Sequence, residues 1–552
     1  MEKKTLAAVA GLVAGTLFAA TKGRERLALS RAKHPGPGGH VRLAKRIAGQ
    51  IPYYAHVEEA FFRADGCDEA TAARRRAGFE RLAAIYAERF PKTRALTADT
   101  REGLSDLQFT GRYRVPFAFA DTVRRHLPVG AFMARSEGPW LTDLDGNRFI
   151  DLTGSYGVNL FGNEFYKATM REALDIAEPL GGVLGSYHPV VADNVRRLRA
   201  LSGLDEVSFH MSGTEAVMQA VRLARYHTGR KRLVRFAGAY HGWWGDVQPG
   251  IGNPVPADHT LTLADQSEQT LAVLARRRDI ACVLVNPLQA LHPNVSAPAD
   301  GQLVDSGRAA GADLPAYIAW LRRLADTCRA NGIVLIVDEV FMGFRLAPGS
   351  VARAWAIDAD MIVWGKTLGG GLPIGVVTGR AALMKRWRDD RPVDICFARG
   401  TFNAHPYVMA ATDAFLRRLE RPAVAEWYAG MDARWDARAA RLNAMLAEAG
   451  VPVSVAHLAT VWTLVYTRPS RYNWMLQYYL RAEGLALSWV GTGRLIFSLD
   501  IDDALFDEIA RRIVAAGRAM AADGWWDGPA ATNKRLRRQA LKESLAARLR
   551  GG

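Results

Sequence analysis

Two uniformly apolar runs stand out along the chain, IVLIV at 333–337 and MIVW at 361–364, each bounded by polar or turn-forming residues. Runs of this length without polar alternation predict strands buried on both faces, as in a parallel sheet. Further strands are predicted at 207–211 (VSFHM), 233–236 (LVRF) and 281–285 (ACVLV), with another beginning at 376. Between them, 216–230 and 314–332 carry apolar residues at helical spacing. Strands alternating with helices predict an α/β fold. Ahead of this region, the linker HPGPGGH precedes helical patterns at 41–51, 56–64, 69–90 and 121–127. Residues 133–163 read as short strands with a turn at Asp145 and Gly146. Behind it come helices around 408–417 and 425–449 and short strands at 453–455 and 460–466.

The chemistry gathers at the strand ends. Asp338 closes one apolar run and Lys366 follows the next. A parallel sheet collects the carboxyl ends of its strands on one edge, where ligands bind. An Asp and a Lys there suit pyridoxal phosphate (PLP). The amine forms a Schiff base with the aldehyde, and the carboxylate keeps the pyridine nitrogen protonated. The pair also reads as a buried ion pair in an ordinary core. Gly369, Gly370, Gly371 and Pro373 form a loop that lets backbone approach a ligand. In SGTEA, Ser212, Gly213 and Thr214 stand at a helix N-terminus, where unpaired N–H groups and the helix dipole favour a phosphate. The same residue types are ordinary helix caps.

DEVFMGFR and GKTLGGGLPIG, with SGTEA before them and CFARGTFNAHP after, resemble the class III PLP-dependent aminotransferases over roughly 131–523. Within that family the nearest likeness is to glutamate-1-semialdehyde 2,1-aminomutases. The resemblance implies a fold type I enzyme: a large domain around a mostly parallel seven-stranded sheet, plus a small α+β domain and, here, a helical N-terminal extension. The chain then divides into an apolar and basic segment at 1–30, the extension at 31–130, the first part of the small domain at 131–178, the PLP domain at 179–395, the rest of the small domain at 396–525, and a basic tail at 526–552.

The resemblance also implies roles. Lys366 and Asp338 are catalytic. Ser212, Gly213 and Thr214 hold the cofactor phosphate. Tyr240, followed by His241 and Gly242, stacks on the pyridine ring, and Val340 packs on its other face. Thr401 reaches the phosphate of a neighbouring subunit, which implies a homodimer with shared active sites. Tyr156, Glu215, Asn286 and Arg494 are substrate-side candidates, although Tyr156 reads equally as a core aromatic and Arg494 as a surface residue. Two departures concern substrate. Asn286 stands before Pro287 where the family usually has Glu. Trp489, Gly491, Thr492 and Arg494 replace an acidic, Ser-rich stretch. The expected activity is amino transfer between an amine or amino acid and a carbonyl acceptor. Intramolecular 2,1-aminomutase transfer is one alternative, and a weakly catalytic, membrane-associated PLP-fold subunit is another.

Composition adds the setting. With 552 residues, 49% of them hydrophobic, a large core is expected. Four Cys show no CxxC pair and no metal spacing, which fits reduced thiols in the cytoplasm. The net charge is +16, yet no nucleic-acid motif is present, so nucleic acid is not expected as a partner. An uncharged run of 17 residues, 5–21, is at the lower limit for a membrane span. It reads as a membrane-associated helix on the cytoplasmic side, a packing helix or a cleaved signal. The tail NKRLRRQALKESLAARLRGG suggests a basic amphipathic helix that is solvated, lies on an anionic membrane or meets a partner.

Overall fold

The computed structural model describes residues 20–256, 258–292, 310–311, 313–488 and 493–550. The first 19 residues, with most of the N-terminal apolar run, lie outside this range, as do most of the loop after Asn286, at 293–309, and Trp489, Gly491 and Thr492.

At the centre is a seven-stranded sheet. Its spatial order is Glu206–His210, Gly375–Gly379, Met361–Gly365, Val334–Asp338, Ile280–Val285, Arg232–Phe236 and Thr260–Leu263. Only Gly375–Gly379 runs antiparallel to its neighbours. The strands Ile280–Val285, Val334–Asp338 and Met361–Gly365 are buried at every position, which is why their sequences do not alternate. The architecture is therefore α/β with a mostly parallel sheet, as expected. One edge carries the ends of Val334–Asp338 and Met361–Gly365, and the first turn of the helix Gly213–Thr228 follows the edge strand Glu206–His210.

Two smaller sheets flank this core. Met133–Glu137, Trp140–Asp143 and Arg148–Asp151 form antiparallel pairs, and Leu485–Ala486 joins them in parallel. Val453–Leu458, Val461–Tyr466 and Arg494–Ile496 make the other. The long helix predicted over 425–449 is two helices, Pro422–Tyr428 and Met431–Glu448. Gly430, at φ +62°, breaks the run between them.

The N-terminal block is helical as predicted, with two further helices, Pro91–Arg101 and Ser105–Tyr113. Pro91 occupies the first turn of a new helix, where its missing N–H is no loss. The block packs on the C-terminal small domain. Phe61, Phe62, Phe79 and Phe119 meet Tyr472, Trp474 and Trp525 in one aromatic core. The Tyr472 hydroxyl donates to the Phe61 carbonyl at 2.6 Å and accepts from the Ala64 N–H at 2.9 Å.

Candidate active site

Asp338 ends its strand with one carboxylate oxygen accepting the Val340 N–H at 3.0 Å and the other 2.7 Å from Nδ1 of His241. Both side chains are buried. Burial pushes the His241 imidazole below its usual pKa, against the pull of Asp338, so a neutral ring donates from Nδ1. Its Nε2 is buried without a hydrogen-bond partner. The adjacent carboxylate, Glu339, serves another purpose. It accepts from Ser350 Oγ, the Val351 and Ala352 N–H groups and Trp364 Nε1, all at 2.7–2.9 Å, and so ties the strand to the segment behind it.

The helix Gly213–Thr228 begins with a capping box. Ser212 Oγ accepts the Glu215 N–H at 3.2 Å, and the Glu215 carboxylate accepts the Met211 N–H at 2.9 Å. Glu215 therefore holds the turn rigid from within. The turn is packed tightly on its inner side. A Cβ on Gly213 would lie 2.7 Å from Val340, and one on Gly375 would lie 1.9 Å from the Ser212 carbonyl oxygen. A Cβ on Gly242 would meet Thr214 Oγ1 at 2.5 Å, so the loop after His241 adjoins the same turn. By contrast, Gly370 is enclosed by protein: a Cβ there would strike the Ala411 carbonyl oxygen and Thr169, because the helices Asn163–Ala177 and Pro406–Leu419 pack there. Gly371 and Pro373 are exposed.

Lys366 follows the strand beside Asp338 and adopts φ +48°, a backbone state that costs a non-glycine residue about 1–3 kcal/mol. Burial pushes its ammonium pKa down; Asp338 opposes this and Arg345 adds to it. The amine lies 5.5 Å from the centre of the Phe341 ring, and Gly157 packs against both side chains. Arg345 is fully buried and, among the described residues, has no carboxylate partner. It donates to the Phe341 carbonyl at 3.1 Å, Thr460 Oγ1 at 2.9 Å and the Gly157 carbonyl at 2.9 Å. Burial pulls its pKa down to about 10. Arg345 and Phe341 belong to the quoted motif, but sequence reasoning assigned them no role. Their one signal was an Arg seven residues past Asp338, at the end of an otherwise apolar stretch.

The remaining candidates scatter around this cluster. Tyr156 is half-exposed at φ +56°, directly before Gly157. Tyr240 is 58% exposed on the loop whose next residue binds Asp338. Asn286 caps a short turn by accepting the Leu288 N–H at 2.9 Å and donates to the Tyr240 carbonyl at 3.4 Å, so it braces the Tyr240 loop. Thr401 is exposed in the turn after Gly400 and is not drawn into the cluster of its own chain. Arg494 begins the strand Arg494–Ile496, which reaches the cluster through Ile496 and Gly154.

This set of groups fits PLP. A buried carboxylate ends one strand, an amine kept short of its full basicity directly follows the next, and a helix N-terminus beside them is suited to an anion. Such an edge on a mostly parallel sheet defines a PLP-dependent transferase of fold type I. The chain belongs to the class III aminotransferase family, matching it over residues 122–516. A glutamate-1-semialdehyde 2,1-aminomutase from Nitratidesulfovibrio vulgaris is 34% identical over 370 residues, 66% of this chain and 84% of that protein. One from Deinococcus deserti is 32% identical over 381 residues, 67% and 83% of the two chains. Among solved structures, a β-phenylalanine aminotransferase from Variovorax paradoxus is 26% identical with a TM-score of 0.61, covering 81% of this chain and 98% of its own. The fold also matches a glutamate-1-semialdehyde aminomutase from Pseudomonas aeruginosa at a TM-score of 0.64 and 19% identity, covering 83% of this chain and 100% of that one. The protein is thus a PLP-dependent enzyme of the aminotransferase and aminomutase group.

Proposed function

We propose an intermolecular aminotransferase in which Lys366 carries the catalytic proton. The observation that carries this is the buried Lys366 directly after the strand Met361–Gly365, which pairs with the strand that Asp338 ends. Bound PLP supplies an aldehyde that takes up the amino group and a ring that accepts electrons. Lys366 Nζ removes the proton from the substrate carbon bearing nitrogen and returns one on the cofactor side. Its burial supports this, because an amine held below its ordinary basicity is a base near neutral pH. Asp338 holds the proton on the ring nitrogen, and the His241 N–H keeps that carboxylate oriented. The N–H groups of the turn at Ser212, Gly213 and Thr214 bind the phosphate. Tyr240 and Val340 hold the ring between them. Tyr156, Asn286 and Arg494 border the substrate side, and Glu215 supports it through the turn it caps.

The functional unit is a homodimer. Tyr156, Tyr240, Trp243, Phe397 and Phe402 are all exposed in the single chain, and an apolar belt of this kind suits a subunit interface. Thr401 in that belt reaches the neighbour's phosphate. Four buried free thiols support a reducing, cytoplasmic setting, and the basic C-terminal helix is the part suited to a membrane surface. Among the described residues no helix is long and apolar enough to cross a membrane.

The kinship to the aminomutases favours a second reading, intramolecular transfer on one small substrate. Amino transfer measured with and without added 2-oxo acids separates the two. Dependence on the acceptor supports the aminotransferase, and full turnover without it supports the aminomutase. Either way Lys366→Ala abolishes turnover while leaving the fold intact by circular dichroism. Turnover at the original rate in that variant overturns both readings.

A further inference from the structure

The helices Val41–Ala48 and Asn533–Arg550 lie side by side and leave a groove between them of about 320 Å³, lined by Arg46, Ile47, Ile51, Leu541, Leu545 and Arg548. The inner side of the C-terminal helix is fastened to the protein. Leu536 is buried, Gln539 donates to the Ala64 carbonyl at 2.7 Å, and Glu543 accepts from Arg471 at 2.7 Å. Its large apolar residues on the other side remain largely exposed: Leu541 is 58% exposed, Leu545 53% and Leu549 85%. Leu43, Ile47 and Ile51 are exposed on the facing segment. Lys534, Arg538, Leu541, Lys542, Leu545, Arg548 and Leu549 recur at three- and four-residue steps, so apolar and cationic side chains share one stripe. The helix holds seven basic residues and one acid, Glu543, which is turned inward. Val41–Ala48 adds Arg42, Lys45 and Arg46 and no acid.

We propose that this face docks on the surface of an anionic phospholipid bilayer, with the leucine and isoleucine side chains in the headgroup boundary and the Arg and Lys groups on lipid phosphates. The charge is complementary to such a surface, and apolar residues flanked by cations are what an interfacial helix requires. The proposal rests on the reading of the termini given above and names the surface and the lipid class.

The test is flotation of the full-length chain with phosphatidylcholine vesicles, with and without phosphatidylglycerol. The expected result is binding only to the anionic vesicles, weakening as salt rises. Leu541→Glu with Leu545→Glu, and separately Arg46→Gln with Arg548→Gln, each weaken binding by on the order of tenfold, with amino transfer in solution unchanged. Variants that bind like the natural chain overturn the docking face and leave attachment to the N-terminal run. A natural chain that ignores anionic vesicles overturns membrane contact altogether. A higher oligomer of the natural chain in light scattering, lost in the leucine variant, overturns the lipid in favour of a second copy.

Discussion

Arg75 and Arg345 are both fully buried, but their surroundings are opposite. Arg75 sits where the N-terminal block meets the small domain. Asp65 grips it with two hydrogen bonds of 2.8 and 2.9 Å, and the Phe62 and Gly524 carbonyls take further donors. Burial works against its charge, but Asp65 outweighs it and raises the guanidinium's pKa. Arg345, at the active site, has only neutral acceptors, and burial lowers its pKa. A neutralised cation serves structure. A cation left without a counter-charge projects its field onto its neighbours, and here the neighbour is Lys366. The comparison teaches that burial alone does not mark a functional charge; what matters is whether a buried cation is neutralised and which titratable group lies beside it, here Lys366.

The largest effect should come from breaking the neutralised pair. Asp65→Ala leaves Arg75 buried and alone, which costs about 3–5 kcal/mol of stability. Denaturant unfolding will register that loss, while kcat per folded molecule stays unchanged. If activity falls as steeply as stability, the two regions are not separable.

Arg345→Met acts the other way. Removing the cation raises the Lys366 pKa, so the pH at which the cofactor-free protein develops visible absorbance on adding PLP moves upward. Turnover at neutral pH falls by up to about 100-fold, since Arg345 also pins Gly157 against Lys366. Arg345→Lys keeps the charge and restores the pH midpoint. A midpoint that stays put in the Met variant removes Arg345 from the electrostatics of the site.

The smallest effect concerns the appended region's outer pair. Burial pushes the Glu543 carboxyl up, but His56 and Arg471 outweigh it and hold its pKa at about 2. A depressed carboxyl stabilises the fold above its unfolded value of 4.5 and loses that contribution as pH falls through about 2. The C-terminal helix should therefore become sensitive to an acid-tolerant protease within that window. Glu543→Gln should remove the pH dependence and leave the helix equally sensitive throughout.

Much of the site was legible because it is local. A strand end at Asp338, a residue following a strand at Lys366, and a helix start at Ser212 are each set by a few neighbouring residues. Glu215 was read as a substrate-side candidate, while its carboxylate accepts the Met211 N–H at the head of the same helix. What was not legible depends on distant partners. The Gly-rich loop after Lys366 was expected to let backbone approach a ligand; Gly370 also makes room for helices from two other parts of the chain, a contact that local sequence does not show. Asn286, a substrate-side candidate, also joins a turn to the Tyr240 loop 46 residues away, a link that local sequence does not show.

By itself the sequence determined the α/β alternation, the strand-end carboxylate and amine, and the capped turn at Ser212, because hydrophobic period and capping chemistry act over a few residues. Only the tertiary structure decided which buried charges are neutralised. Asp65 is ten positions from Arg75 and meets it directly, while Thr460 lies 115 positions from Arg345 and brings only a hydroxyl. Likewise, packing across the chain placed the N-terminal helices on the small domain and turned the leucines of the C-terminal helix outward. A side chain's electrostatic character depends on what surrounds it in three dimensions, and residues hundreds of positions apart supply those surroundings.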